Sequence, residues 1–221
     1  GLSREADLLR VRLRRARAPD LESCNGSAGL THTEAEHRDA RAFIDQSEPA
    51  GRPIVAVAPT TMMPSNRWPS KRFEDLVRRL VASHDVWPIV VGGPEDADLG
   101  RRLIATWGRG AVAAGAMPPR TTAALLAHCR LFIGCDSGAL HLAASAGTPC
   151  VGIYSMRGPG GAWYPYGRGH VVLERDVPCK GCMLVECVEH ENLCTRLITV
   201  EDVERACVAV LQRPLVDRRS S

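Results

Sequence analysis

Gly134-Cys-Asp-Ser-Gly-Ala-Leu-His-Leu-Ala-Ala-Ser-Ala-Gly-Thr-Pro-Cys-Val-Gly-Ile-Tyr154 is the stretch whose pattern decides the fold. It reads as the end of one buried strand, a tight turn, a short helix of small residues and a second buried strand. Strand, helix and strand in close succession form the repeating unit of a parallel sheet covered on both faces. The turn Asp136-Ser137-Gly138 then lies beyond the carboxyl end of a strand, where such sheets bind their ligands. A helix that starts there points free backbone N–H groups into the crevice, an arrangement suited to phosphate.

The same alternation extends outward in both directions. Strands are predicted at Ile54–Ala58, Pro88–Gly92, Ala111–Ala114, Leu131–Gly134, Cys150–Tyr154 and His170–Leu173. The unbroken apolar run of Ile54–Ala58 is that of a strand buried on both faces. Helices are predicted at Lys71–His84, Glu95–Trp107, Thr121–Cys129, Ser137–Ala146 and Thr199–Leu211. The first of these carries Phe73, Leu76, Val77, Leu80 and Val81 on one face. Thr33-x-x-Glu36 and Thr199-x-x-Asp202 have capping-box spacing, and the former starts a helix expected to run to about Gln46. The fold class expected is α/β, a doubly wound, Rossmann-like parallel sheet over residues 51–221. Residues 1–50 fall outside the alternation. They read as an Arg-rich helix over 4–17, a linker, and a helix, like the tail of another unit.

Composition narrows the function classes. In 221 residues, 45% hydrophobic and 24% charged content are ordinary for a globular protein, and the net charge is +3. That balance argues against a dedicated nucleic-acid binder, which concentrates basic charge on one face. No apolar run reaches transmembrane length and no secretory signal is evident, so the expected location is cytoplasmic.

Three loops at predicted carboxyl ends could carry chemistry. In Asp136-Ser137-Gly138, Ser137 is a good N-cap and Gly138 lets a ligand approach the backbone. His141 follows one turn into the helix. The loop after the first strand holds Thr60, Thr61, Ser65, Asn66, Arg67 and Lys71, hydroxyls and cations that suit a diphosphate. Glu95, in Gly92-Gly-Pro-Glu-Asp96, stands where nucleotide-binding sheets place a carboxylate against ribose hydroxyls. Each loop has a plainer reading: a capped turn, a surface loop stapled by Trp68, and an acidic residue favoured by a helix dipole.

The chain has nine cysteines. Cys129, Cys135 and Cys150 lie in apolar surroundings and read as small buried hydrophobes. Cys179, Cys182, Cys187 and Cys194, within the Cys-rich segment 178–195, are four thiolates that would complete a tetrahedral structural zinc site. His190 is a rival ligand, and free or partly buried thiols are the alternative.

Taken together these pieces resemble the bacterial ADP-heptose:lipopolysaccharide heptosyltransferases, glycosyltransferase family 9. The matching pieces are Ala58-Pro-Thr-Thr61, Asn66-Arg-Trp-Pro69, Gly92-Gly-Pro-Glu95, Asp136-Ser-Gly-Ala-Leu-His-Leu-Ala-Ala144, Gly147-Thr-Pro-Cys-Val151 and Trp163-Tyr-Pro-Tyr-Gly167. The resemblance covers about residues 53–212. It implies the C-terminal, donor-binding half of a GT-B glycosyltransferase, preceded by a stub of the N-terminal domain and the interdomain connection over 1–50. It implies an ADP-sugar donor and a lipopolysaccharide core or lipid A acceptor, the latter bound through the missing N-terminal domain, with peripheral contact at the inner membrane. Transfer would proceed with inversion and without a catalytic metal. The carboxylate base would belong to the missing domain, so no residue of this chain takes that role and the isolated chain would be inactive. Residue by residue, Thr60 and Thr61 match the diphosphate positions, Glu95 the ribose carboxylate, and Asp136, Ser137, Gly138 and His141 the phosphate- and sugar-contacting turn. Asn66 departs from the pattern, standing where the family usually has a phosphate-binding lysine. A lysine restored there is expected to strengthen ADP binding. Two rival readings remain: a non-catalytic nucleotide-binding module on the same fold, and a metal-stabilised interaction element built on the cysteines.

Overall fold

The computed structural model describes residues 30–161 and 163–214. The Arg-rich segment over 4–17 and most of the linker lie outside the described residues.

Six parallel strands form one sheet: β1 (Ile54–Ala58), β2 (Trp87–Val90), β3 (Ala111–Val112), β4 (Leu131–Cys135), β5 (Cys150–Ile153) and β6 (Val171–Leu173), in the order β3-β2-β1-β4-β5-β6. The connection from β3 returns to the far side of β1. The order therefore reverses between β1 and β4, and the crevice above that junction is the switch point of a doubly wound sheet. Register along the junction pairs Val57 with Ile133 and Ala58 with Gly134. The loops leaving β1 and β4 thus start side by side.

Helices α1 (Glu34–Ser47), α2 (Ser70–His84), α3 (Ala97–Trp107), α4 (Pro119–Ala127), α5 (Gly138–Ser145), the short α6 (Leu193–Arg196) and α7 (Val200–Leu211) surround the sheet. Alternate residues of β1 feed two cores. Val55 and Val57 pack with Phe73, Leu76 and Leu80 of α2, Leu103 of α3 and Val203 and Val210 of α7. Ala56 and Ala58 pack on the opposite face with Ala40 and Ile44 of α1, Leu125 and Leu126 of α4 and Leu140 of α5. Each fully buried Leu or Ile contributes about 1.5–3 kcal/mol over leaving it in water, so both faces hold the strands in register.

Sequence and structure differ at the edges of elements. The third strand shortens to two residues, and Glu95 falls in a separate turn of 3₁₀ helix, Pro94–Asp96, ahead of α3. Pro88 sits inside β2. Its nitrogen faces the side on which β3 pairs only with Ile89 and Val90, so its missing N–H breaks no ladder bond. The capping boxes at Thr33 and Thr199 both form. Beyond residue 33 the expected interdomain connection is α1, whose Ala40 and Ile44 are buried against this sheet domain. None of the helices among the described residues is long and apolar enough to cross a membrane.

Candidate functional site

At the switch point, three loops leaving the carboxyl ends of β1, β4 and β5 are tied together by one side chain. Asn66 closes a turn of 3₁₀ helix, Pro64–Asn66, and is buried. Its Nδ2 donates to the carboxylate Oδ2 of Asp136 at 3.1 Å and to the Asp136 carbonyl at 3.4 Å. Its Oδ1 accepts from the Ser155 hydroxyl at 2.5 Å. Thr61 adds a bond from its hydroxyl to the same Asp136 carbonyl at 3.1 Å. An amide can serve here because it carries donors and an acceptor on one planar group. A lysine could satisfy the carboxylate but could not accept from Ser155.

Above this clamp the first turn of α5 faces open space. Ser137 occupies the N-cap position, yet its side chain makes no cap bond, which departs from the capping role expected of it. Its buried hydroxyl has no hydrogen-bond partner. Its carbonyl accepts from the N–H groups of Leu140 and His141, whereas Gly138 and Ala139 donate to no backbone carbonyl among the described residues. A Cβ at Gly138 would meet nothing within 4 Å. Two free N–H groups at the positive end of the helix dipole suit an anion, and the covered Ser137 hydroxyl next to them is likewise without a partner. His141 Nε2 stands 3.6 Å from Asp136 Oδ1, and its ring meets that of Trp163 edge to face at a centroid distance of 6.3 Å.

Other expected residues are placed differently. Thr60 donates its hydroxyl hydrogen to Asp96 Oδ1 at 2.6 Å, and Asp96 Oδ2 also accepts from the Gly93 N–H at 2.9 Å. Asp96 is buried and joins the loops after β1 and β2. Glu95 is exposed, its carboxylate folded over Gly93, where an added Cβ would meet it at 2.4 Å. Arg67 is exposed and donates to the Thr61 carbonyl at 3.3 Å. Thr60 and Arg67 line a cavity of about 410 Å³ with Trp68, Ser70, Leu99 and Arg196. Asp136, Ser137 and Gly138 do not line that cavity. Sequence reasoning gave no role to Asp96 or Ser155, and named Trp163 only within the matching stretch Trp163–Gly167. Ser155 could have been found from its place just past β5, and Asp96 from the turn it shares with Glu95.

The Cys-rich segment forms a strap over the site loops. Ser65 N–H bonds the Val185 carbonyl at 3.1 Å, Asn192 Nδ2 the Pro64 carbonyl at 2.8 Å, and the Thr195 hydroxyl the Arg67 carbonyl at 2.8 Å. Arg157, after β5, donates to the Leu184 and Met183 carbonyls at 2.7 and 3.0 Å. Cys182 is exposed while Cys194 is buried, and no three His, Cys, Asp or Glu among the described residues are placed to hold a metal ion. Burial pushes the Cys194 thiol up, and the nearby Cys187 and Cys179 add to the shift.

The fold defines an α/β domain of the doubly wound parallel class, with an open helix start at its switch point. A family model described as glycosyltransferase family 9 (heptosyltransferase) matches residues 13–192, and the chain belongs to that family. It is 26% identical over 123 residues to lipopolysaccharide heptosyltransferase 2 of Salmonella typhimurium, covering 52% of this chain and 34% of that protein. The chain therefore spans about a third of the length of the curated relative it matches. Among solved structures, a glycosyltransferase family 9 protein from Veillonella parvula superposes with a TM-score of 0.68 at 23% identity, over 83% of this chain and 53% of that one. The Escherichia coli heptosyltransferase WaaC with ADP superposes with a TM-score of 0.61 at 18% identity, over 90% and 56%. These two likenesses establish the fold.

Proposed function

We propose that this chain is the donor-binding part of a glycosyltransferase that moves heptose, or a related sugar, from an ADP-sugar to a lipopolysaccharide core acceptor with inversion. The observation that carries the reading is the open start of α5, where Ser137 Oγ has no partner and the N–H groups of Gly138 and Ala139 are uncommitted beside the Asp136 clamp. A leaving diphosphate needs its charge dispersed. Preorganised N–H groups do this without reorganisation when the bond breaks, and the Ser137 hydroxyl joins them after a rotation about its Cα–Cβ bond. Family membership and the likeness to a heptosyltransferase solved with ADP support ADP as the nucleotide.

In this reading Ser137, Gly138 and the first turn of α5 hold the diphosphate, with His141 beside them. Thr60, Thr61 and Asn66 shape the loop wall, since their hydrogens are already given to Asp96 and Asp136. Glu95 reaches the ribose after turning away from Gly93. The base that deprotonates the acceptor hydroxyl lies in a further domain, as does the lipid-binding surface, so the chain alone binds donor and transfers no sugar.

Calorimetry with ADP on the folded chain tests this. A saturable heat with one site is expected, together with its loss in Gly138→Val, whose branched side chain would fill the open start of α5. A folded chain that gives no ADP heat overturns the donor-site reading, and sugar transfer by the chain alone overturns the need for a second domain.

A further inference from the structure

We infer that Trp163 is the platform on which the transferred sugar of the donor lies, an assignment that rests on the donor-site reading above. Of the four tryptophans, Trp68 and Trp107 are buried and Trp87 is half-buried, whereas Trp163 is 60% exposed. Its backbone is nevertheless pinned. The Tyr154 hydroxyl, on a side chain that is itself buried, donates to the Trp163 carbonyl at 2.8 Å. The next residue, Tyr164, packs its ring against Tyr154 at a centroid distance of 5.3 Å and donates its hydroxyl to Glu174. A pinned backbone that presents a bare indole is a prepared apolar surface, and indole is the side chain best suited to lie against the C–H face of a ring.

The place of that indole in the sheet selects the ligand part it meets. Strands run β2-β1-β4-β5 across the site. The carboxylate expected to take the ribose follows β2, the anion site lies over β1 and β4, and Trp163 follows β5. Neighbouring strands are about 4.8 Å apart. A donor laid along this edge with its ribose over β2 and its diphosphate over the β1–β4 junction puts the next group, the sugar, over β5. His141 links the two halves, with Nε2 3.6 Å from Asp136 Oδ1 and its ring edge to face with that of Trp163.

The test compares ADP with ADP-heptose by calorimetry on the full chain and two variants. The unaltered chain is expected to bind ADP-heptose about tenfold more tightly than ADP, the size of one well-formed aromatic contact. Trp163→Ala should erase that difference while leaving ADP affinity within about twofold, and Trp163→Phe should keep part of it. Equal affinity of the unaltered chain for the two ligands overturns the assignment. So does a Trp163→Ala variant that loses ADP and ADP-heptose equally, which would put the indole against the nucleotide. A folded chain that binds neither ligand removes the donor-site reading itself, a separate outcome from either of these.

Discussion

Asn66 shows how one residue can change role while keeping its position. Where the resemblance implies a lysine, this chain has a neutral amide whose two ends are both engaged, one by Asp136 and the other by Ser155. A lysine at 66 therefore carries a cost in stability beside the gain in ADP binding expected of its charge. A lysine would leave Ser155 without its acceptor and loosen the tie between the loops after β1 and β5. Removing one hydrogen bond from such a network costs about 1 kcal/mol, or roughly 2–4 °C in melting temperature for a domain of this size. Ser155→Ala should show that loss. Asn66→Ala should lose more, because it orphans groups on both sides. A double variant should fall short of the sum, since the two residues share one bond. Strict additivity in thermal melts would mean that the clamp does not act as a unit. None of this was legible in the linear sequence. The partners of residue 66 lie 70 and 89 positions away, and which loops meet depends on strand order.

Among the elements, the loop between β1 and α2 depends most on distant support. Trp68 is buried, packs edge-on to Phe73 at 4.9 Å and donates from Nε1 to the Ile198 carbonyl at 2.9 Å. Its own N–H points to the Cys135 sulfur at 3.3 Å, on the strand that ends at the anion site. Arg72 adds a bond to the Ile198 carbonyl at 2.7 Å, and the strap over 179–198 closes the loop from above. Trp68→Phe keeps an aromatic ring but removes the bond to Ile198 and part of the buried area. It should destabilise by about 1–3 kcal/mol, measured by urea unfolding, and should raise hydrogen exchange at Ser65 and Asn66. A change within ±0.5 kcal/mol would mean that the strap does not depend on this anchor. The sequence foretold a structural Trp68 and the amphipathic α2. It did not foretell that the cysteine segment would bond the site loops through its backbone carbonyls and through Asn192 and Thr195. Spacing reports which side chains are present, whereas carbonyl bonding depends on how the chain is wrapped.

For the molecule as a whole, the attachment of α1 decides where the domain begins in space. Beyond the apolar contacts of Ala40 and Ile44, Glu36 accepts from Arg120 at the start of α4 at 2.5 Å. The Arg120 guanidinium, aided by the Thr33 backbone N–H, lowers the Glu36 carboxyl from 4.5 to about 2. A carboxylate depressed in the folded state supports the fold above its unfolded pKa, and the support fades as pH falls through the folded value. The melting temperature of Arg120→Ala should thus lie below that of the unaltered chain at pH 6, with the gap closing as pH drops from 4.5 toward 2. Because the pair is exposed the gap should be small, and a gap that widens on acidification would refute the role given to the pair. At this scale, unbroken apolar runs alternating with helical patterns in the sequence, read locally, were enough to determine the parallel α/β class, all six strands and the Asp136–Gly138 turn, because a strand buried on both faces and a helix buried on one each leave their own apolar record. The tertiary structure alone decided that Asn66 clamps three loops, that Thr60 and Thr61 spend their hydrogens on protein partners, that Asn192 and Thr195 strap the loop after β1, and that Trp163 stands bare beside His141. Those outcomes depend on contacts between segments far apart in the chain, and such contacts exist only once the strand order has been set.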